Sequence, residues 1–143
     1  MPNDDKNIGD NLKDMFQKVT GTVDYTSNFK SKEREENVLM AVLSYIIPPI
    51  PFIVERHSGY VKFHSNQGMN LFVWGIIVLL FGMILGTAFP GKGITNFYSL
   101  LMKVLYMTLA AIGMVNALQA KAKELPLVSK LNLINIVNDF LNK

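Results

Sequence analysis

Residues 69–89 form a run of 21 positions without one charged side chain. As helix, at ~1.5 Å per residue, that run is roughly 31 Å long and matches the ~30 Å hydrocarbon core of a bilayer. Two more runs resemble it. Residues 38–54 carry no charge, and residues 98–118 carry only Lys103. A soluble core has no need of three such runs in 143 residues. In lipid, each backbone group must find its partner within the segment, which selects helices. The pattern therefore predicts an all-α integral membrane protein. We expect a three-helix bundle with spans at about 38–54, 69–89 and 98–118.

The first run contains Pro48, Pro49 and Pro51. Each proline lacks an N–H and clashes with the preceding turn. The carbonyls of Ser44, Tyr45 and Ile47 thus lose their usual i+4 donors. We expect a proline-broken first span that crosses by continuing as an extended piece, at ~3.1 Å per residue. A re-entrant loop is the competing reading.

Outside the runs the chain divides simply. Residues 1–36 form a polar tail, net −2, while the remainder is net +5, which together give the overall +3. The excess base belongs to the membrane part, where Lys and Arg flank apolar runs at the headgroups. No clustered basic stripe marks a nucleic-acid binder. Within the tail, Ile8, Leu12, Met15 and Val19 recur at helical spacing, with Asp10 as a candidate cap and Gly21 as a stop. The tail is rich in Asp and lacks a basic start followed by an apolar run, so it does not read as a signal or transit peptide. After a polar hinge at 121–126, Leu131, Ile134, Val137 and Leu141 share one helical face, opposite Asn132, Asn135, Asp139 and Asn142. This predicts a C-terminal amphipathic interfacial helix over the final part of 121–143. The membrane domain then covers 37–120.

The candidate sites are polar residues placed near or within apolar runs. His64, Gln67 and Asn70 recur every three residues and share a helix face. That face either lines a path for a ligand, ion or peptide, or hydrogen-bonds between helices and locks the bundle. His57 and His64 are the only histidines, and the chain has no cysteine. Two histidines without Cys or clustered carboxylates make a poor metal site, so neither metal nor cofactor is expected. Glu55, Arg56 and His57 read as a solvated anchor. Ser58 and Ser65 lack the tight glycine turn of a nucleophile elbow. Gly91 and Gly93 suit a turn between spans and lack the spacing of a phosphate loop. Lys103, inside an apolar run, is a functional flag by default. With three crossings it would snorkel toward Glu35 and Glu36 at the same membrane face. Counting inward from the turn pairs Asn70 with Asn116 and Gly75 with Ala111. It leaves Gly82 and Gly86 to face span one or another copy.

Three stretches together carry a resemblance. They are Glu36-Asn37 leading into Met40-Ala41-Val42-Leu43-Ser44-Tyr45; Val61-Lys62-Phe63-His64-Ser65-Asn66-Gln67-Gly68; and Val115-Asn116-Ala117 followed by Lys121-Ala122-Lys123-Glu124-Leu125-Pro126. Their order and spacing resemble the small bacterial membrane proteins of the Tic20-like group. That group is related to the chloroplast inner-envelope import component and to the magnetosome membrane protein MamF. The resemblance covers roughly residues 24–134. It implies a multi-pass protein of a bacterial cell membrane. The plant import component has four spans and some bacterial relatives begin with a cysteine zinc ribbon; this chain shows neither feature.

No constellation for an enzyme is present. The expected function is a small non-enzymatic scaffold or accessory subunit that binds the lipid bilayer, other membrane proteins or copies of itself. The alternative is a translocation or conduction component using the broken first span and the His64/Gln67/Asn70 face. With three crossings, four bases near one membrane face stand against five near the other. That balance, with the stromal position of the matching loop in the plant relative, favours a cytoplasmic His64 loop and C-terminus.

Overall fold

The computed structural model describes residues 21–128 apart from Arg56, and before them only Ile8, Gly9, Asn11, Leu12, Asp14, Met15 and Lys18. The expected amphipathic helix beyond Pro126 lies almost wholly outside the described residues, as do Asp10 and Val19 of the tail pattern. Ile8, Leu12 and Met15 are helical and exposed. A short 3-10 turn covers Thr26–Asn28. Five helices follow: α1 (Ser31–Glu36), α2 (Val38–Leu43), α3 (Pro49–Val54), α4 (Gly59–Ala88) and α5 (Lys92–Leu118).

Among the described residues, only α4 and α5 are long and apolar enough to cross a membrane. Ser58 starts α4 by accepting the Val61 N–H on its hydroxyl at 3.3 Å. The helix stops at Phe89, whose backbone leaves the helical region (φ −125, ψ 88) before Pro90, where the proline ring disfavours helix. Helix α5 ends in a Schellman turn. Ala120 takes φ 52, its N–H reaches Ala117 O at 3.0 Å, and the Lys121 N–H reaches Asn116 O at 2.9 Å. The chain after α5 is thereby turned sharply back onto the bundle.

The proline-bearing run does not form a third long helix. It forms α2 and α3, six residues each, joined by turns over residues 44–48. Pro49 sits in the first turn of α3, where a missing N–H costs nothing. Both ends of this run lie at the same end of α4. Before it, Glu33 Oε1 accepts from Ser58 Oγ at 2.8 Å and from the Tyr60 N–H at 3.1 Å. At its middle, Ser44 O and Pro48 pack against Gly68, and Ser44 Oγ lies 3.0 Å from Ser65 Oγ. The chain thus descends beside α4 from the level of Tyr60 to the level of Gly68 and then returns to Ser58. Gly68 is required: a Cβ there would overlap the Ser44 carbonyl oxygen.

Helices α4 and α5 are antiparallel, but their register differs from the expected one. Gly86 faces Thr95, Gly82 faces Tyr98 and Gly75 faces Tyr106. Asn70 therefore stands level with Ala111, five residues or roughly 7.5 Å short of Asn116. The tyrosine rings set this register by lying over glycines. Tyr98 also donates to Val78 O at 2.9 Å and stacks edge-on to Phe81. Gly82 and Gly86 accordingly face α5 and not the first run.

Burial is confined to one end. Every buried residue of α4 falls between Tyr60 and Leu71, and those of α5 are Leu109, Ala110, Gly113 and Ala117. Beyond them the two helices are bare, with Leu79, Met83, Ile84, Phe97, Leu100 and Met107 all exposed. A soluble core helix would have covered such residues.

Candidate polar site at the packed end

His64 is wholly buried. Its Nδ1 lies 2.9 Å from Tyr45 Oη and its Nε2 lies 3.1 Å from Lys121 O. A neutral ring carries one N–H. The Lys121 carbonyl can only accept, so Nε2 bears the proton and Nδ1 accepts from the tyrosine hydroxyl. The rings of Tyr45, Tyr60 and Phe63 surround the imidazole edge-on, with centroids at 5.7, 4.7 and 5.3 Å. Tyr45 reaches this position because Gly113 leaves room for its ring, which a Cβ there would overlap. Tyr60 donates to Ala117 O at 3.2 Å, tying α4 to the last turn of α5.

One turn further along α4, Gln67 treats the returning chain as a neighbouring strand would. Its Nε2 donates to Lys123 O at 3.2 Å and its Oε1 accepts the Leu125 N–H at 3.0 Å. The other edge of residues 121–125 is also held. The Tyr25 N–H bonds Ala122 O, the Glu124 N–H bonds Val23 O, and the Ala122 N–H bonds Thr26 Oγ1. Arg34 Nη1 donates to Ala120 O. The backbone leaving α5 is thus met on one side by the N-terminal segment and on the other by the His64–Gln67 face.

Glu33 completes the cluster as a tertiary cap on α4. The Tyr60 N–H and then the Ser58 hydroxyl hold its carboxyl below the ordinary glutamate value. A carboxylate there also complements the positive end of the helix dipole.

The site residues expected from sequence separate into groups. His64 and Gln67 meet in one network. Asn70 is buried beside them, but its Oδ1 finds no partner among the described residues. Asn116 is half-buried and contributes its backbone carbonyl to the α5 cap. Pro48 packs on Gly68, Pro49 opens α3, and Pro51 is fully buried. Lys103 is exposed near the middle of α5, on a groove of about 640 Å³ between the bare parts of α4 and α5. It makes no ion pair among the described residues. Glu36 pairs instead with Lys32 at 3.8 Å. The acids lie toward the far end of α5, so the expected approach of Lys103 to Glu35 and Glu36 does not occur. His57 is exposed, and no group of three metal-ligating side chains exists among the described residues.

Sequence reasoning missed Tyr45, Tyr60, Glu33 and Arg34. Tyr45 was visible as part of the first motif stretch. The other three carry no local pattern. What the structure adds is that the three motif stretches converge here: Ser44 and Tyr45, then His64, Gln67 and Gly68, then the 120–125 backbone.

Fold and site together define a helical membrane protein whose polar motif residues hold one end of the bundle closed. Similar curated proteins carry the comparison further. The chain is 36% identical over 93 residues to the magnetosome protein MmsF of Paramagnetospirillum magneticum, covering 64% of this chain and 80% of that protein. It is 36% identical over 93 residues to the magnetosome protein MamF of Magnetospirillum gryphiswaldense, covering 64% and 78%. It is 34% identical over 92 residues to MamF of Paramagnetospirillum magneticum, covering 63% and 77%. This chain belongs to the MamF/MmsF family. No family model matches it, and no solved structure matches it. None of the relatives' names denotes an enzyme.

Proposed function

We propose that this chain is a non-enzymatic membrane scaffold with two crossings, α4 and α5, and a proline hairpin, α2–α3, that re-enters from one side. The observation that carries this reading is the state of the polar face. Both ring nitrogens of His64 and both amide atoms of Gln67 are taken up by this chain's own hydroxyl and backbone groups. Side chains occupied in that way have little left with which to line a conduit. This supports the locking role over the conducting one. The bare apolar flanks of α4 and α5 are left for lipid, for copies of the chain or for other membrane proteins. Kinship with MamF and MmsF supports residence in a bacterial membrane, and the shared motif stretches support a wider relationship to the import-component group.

The two-crossing reading also alters the charge balance. Among the described flanking bases, Lys30, Lys32, Arg34, Lys62, Lys121 and Lys123 now stand on one side, and Lys92 stands on the other. Six against one under the positive-inside rule favours a cytoplasmic packed end. The chain has no native cysteine, so single cysteines test this directly. In intact cells an impermeant maleimide should label position 91 and spare the exposed position 62 and position 123. The scaffold reading expects liposomes of purified protein to show no ion or solute flux, while crosslinking in the membrane traps defined complexes. Flux that disappears in Gln67→Leu would overturn it.

A further inference from the structure

With the uncharged run 69–89 filling the hydrocarbon core, the bilayer centre falls at residue 79 of α4. The contacts of Gly86 with Thr95, Gly82 with Tyr98 and Gly75 with Tyr106 set that level opposite residues 101 and 102 of α5. Lys103 follows directly, within about 3 Å of the centre at ~1.5 Å per residue. Each headgroup layer is then roughly 15 Å away, half of a ~30 Å core, which the four methylenes of a lysine stem cannot span. Sliding the bilayer toward the packed end until Lys103 met its surface would leave Leu80, Phe81, Met83 and Ile84, all exposed, in water. Sliding it the other way would carry Lys92 and the turn between the helices into the core.

Lys103 lines the groove of about 640 Å³ between α4 and α5. Along α4 the groove runs from Phe72 to Met83, a rise of about 17 Å. Its walls repeat at helical spacing, with Phe72, Gly75 and Leu79 on one side and Ser99, Met102 and Tyr106 on the other. Steps of three and four residues are those that admit the side chains of a third helix. A charge at this depth is costly unless an opposite charge meets it. This chain's own membrane part offers none: residues 56–123 contain no acid, and residues 38–54 contain no charge. Among the described residues the ion pairs are Lys32 with Glu36 and Lys123 with Asp24, and neither involves Lys103. The same segments of a second copy would bring another lysine and no carboxylate.

We propose that the α4–α5 groove receives a transmembrane helix of another protein, one that carries a single Asp or Glu near its midpoint, and that Lys103 pairs with that carboxylate. The apolar walls supply packing and keep water out, while the lysine supplies the one charged anchor. Depth and facing of the partner are then both fixed, because a slip of one turn, about 5.4 Å, would leave two charges unpaired in hydrocarbon. Anionic lipid fits less well, since its charge stays at the headgroup layer. The proposal rests on the scaffold reading with two crossings and names the class of partner for it.

The probe is a synthetic Leu/Ala helix of about 20 residues with one Asp at its centre, beside matched peptides with Asn or Leu there. The full chain, labelled at Gly91→Cys where nothing lies within 4 Å, is reconstituted with each peptide in phosphatidylethanolamine–phosphatidylglycerol liposomes, and association is read by energy transfer. The Asp peptide should bind about tenfold more tightly than the Leu peptide, within the range that polar contacts give model transmembrane helices. Lys103→Leu, a change at an exposed position, should abolish the preference, and Lys103→Asp should transfer it to a peptide with a central Lys. Equal binding of the Asp and Leu peptides, equal binding of the Asp and Asn peptides, or a preference that survives Lys103→Leu would overturn the proposal. Efficient 107–107 disulfide formation between copies of Met107→Cys would also overturn it, by placing a second copy in the groove. A fluorophore on Lys103→Cys, read with depth-graded spin-labelled lipids, should report the bilayer centre; a headgroup position would remove the depth on which the pairing depends. The scaffold reading fails separately, through the flux and crosslinking tests above. Defined complexes in cell membranes, formed by a chain that ignores the Asp peptide, would keep the scaffold and exclude this partner.

Discussion

Gly68→Ala is the sharpest single probe of the hairpin. An alanine Cβ would overlap the Ser44 carbonyl oxygen and lie 2.8 Å from its carbonyl carbon. Both are backbone atoms, so no side-chain rotation relieves the clash. Real contacts of this kind seldom fall below about 3.0 Å, so the hairpin backbone itself must move outward. Overpacking of a close-fitted contact costs about 1–3 kcal/mol, and the unyielding backbone here puts the expected loss at the upper end. Gly86→Ala provides the matched control. Its Cβ would meet only Thr95 Cγ2 at 3.6 Å, an ordinary contact, while alanine is the better helix former by up to ~1 kcal/mol. The assay is a disulfide between Ser44→Cys and Ser65→Cys, whose parent hydroxyl oxygens are 3.0 Å apart. It should form rapidly in the otherwise cysteine-free chain, slow sharply in Gly68→Ala, and be unchanged in Gly86→Ala. Equal rates in all three would refute the claim that residues 44–48 lie against α4.

Other consequences are as direct. Gln67→Leu leaves Lys123 O and the Leu125 N–H without the partners that Gln67 supplies. The buried Leu125 N–H should cost about 1–3 kcal/mol and the part-buried Lys123 carbonyl less; hydrogen exchange at Leu125 should accelerate, and unchanged protection would exclude the clamp. Glu33 has a folded pKa below its ordinary 4.5, so its contribution to stability is complete above that value and is lost as pH falls through the folded pKa. Glu33→Gln should flatten that acid limb in a pH-dependent unfolding series and leave the slope near neutrality as it was. Ala120→Gly removes the left-handed strain of a β-carbon and should stabilise the α5 cap by about 1 kcal/mol, as read by unfolding in denaturing detergent. A loss of stability in Ala120→Gly would mean that the cap geometry is wrong.

Much of this protein follows from sequence alone. An uncharged 69–89 run, with Pro90 and the glycines after it, dictates a long helix, a stop and a return, because lipid tolerates no other arrangement of backbone groups. The three-residue spacing of His64 and Gln67 by itself places both side chains on one helical face. What these side chains bind was not legible. Their partners include the carbonyls and amides of residues 121–125, and a backbone group has no letter of its own. The route of residues 38–54 was equally hidden. Hydropathy records that a run is apolar and that prolines break it; it does not record which way the chain leaves the break. That direction is decided by contacts far apart in sequence, with Glu33 on the N-terminus of α4 and Ser44 against a glycine that leaves space for it. The five-residue shift between α4 and α5 has the same origin. Turn length alone allows several registers, and Tyr98 and Tyr106 select one by covering Gly82 and Gly75.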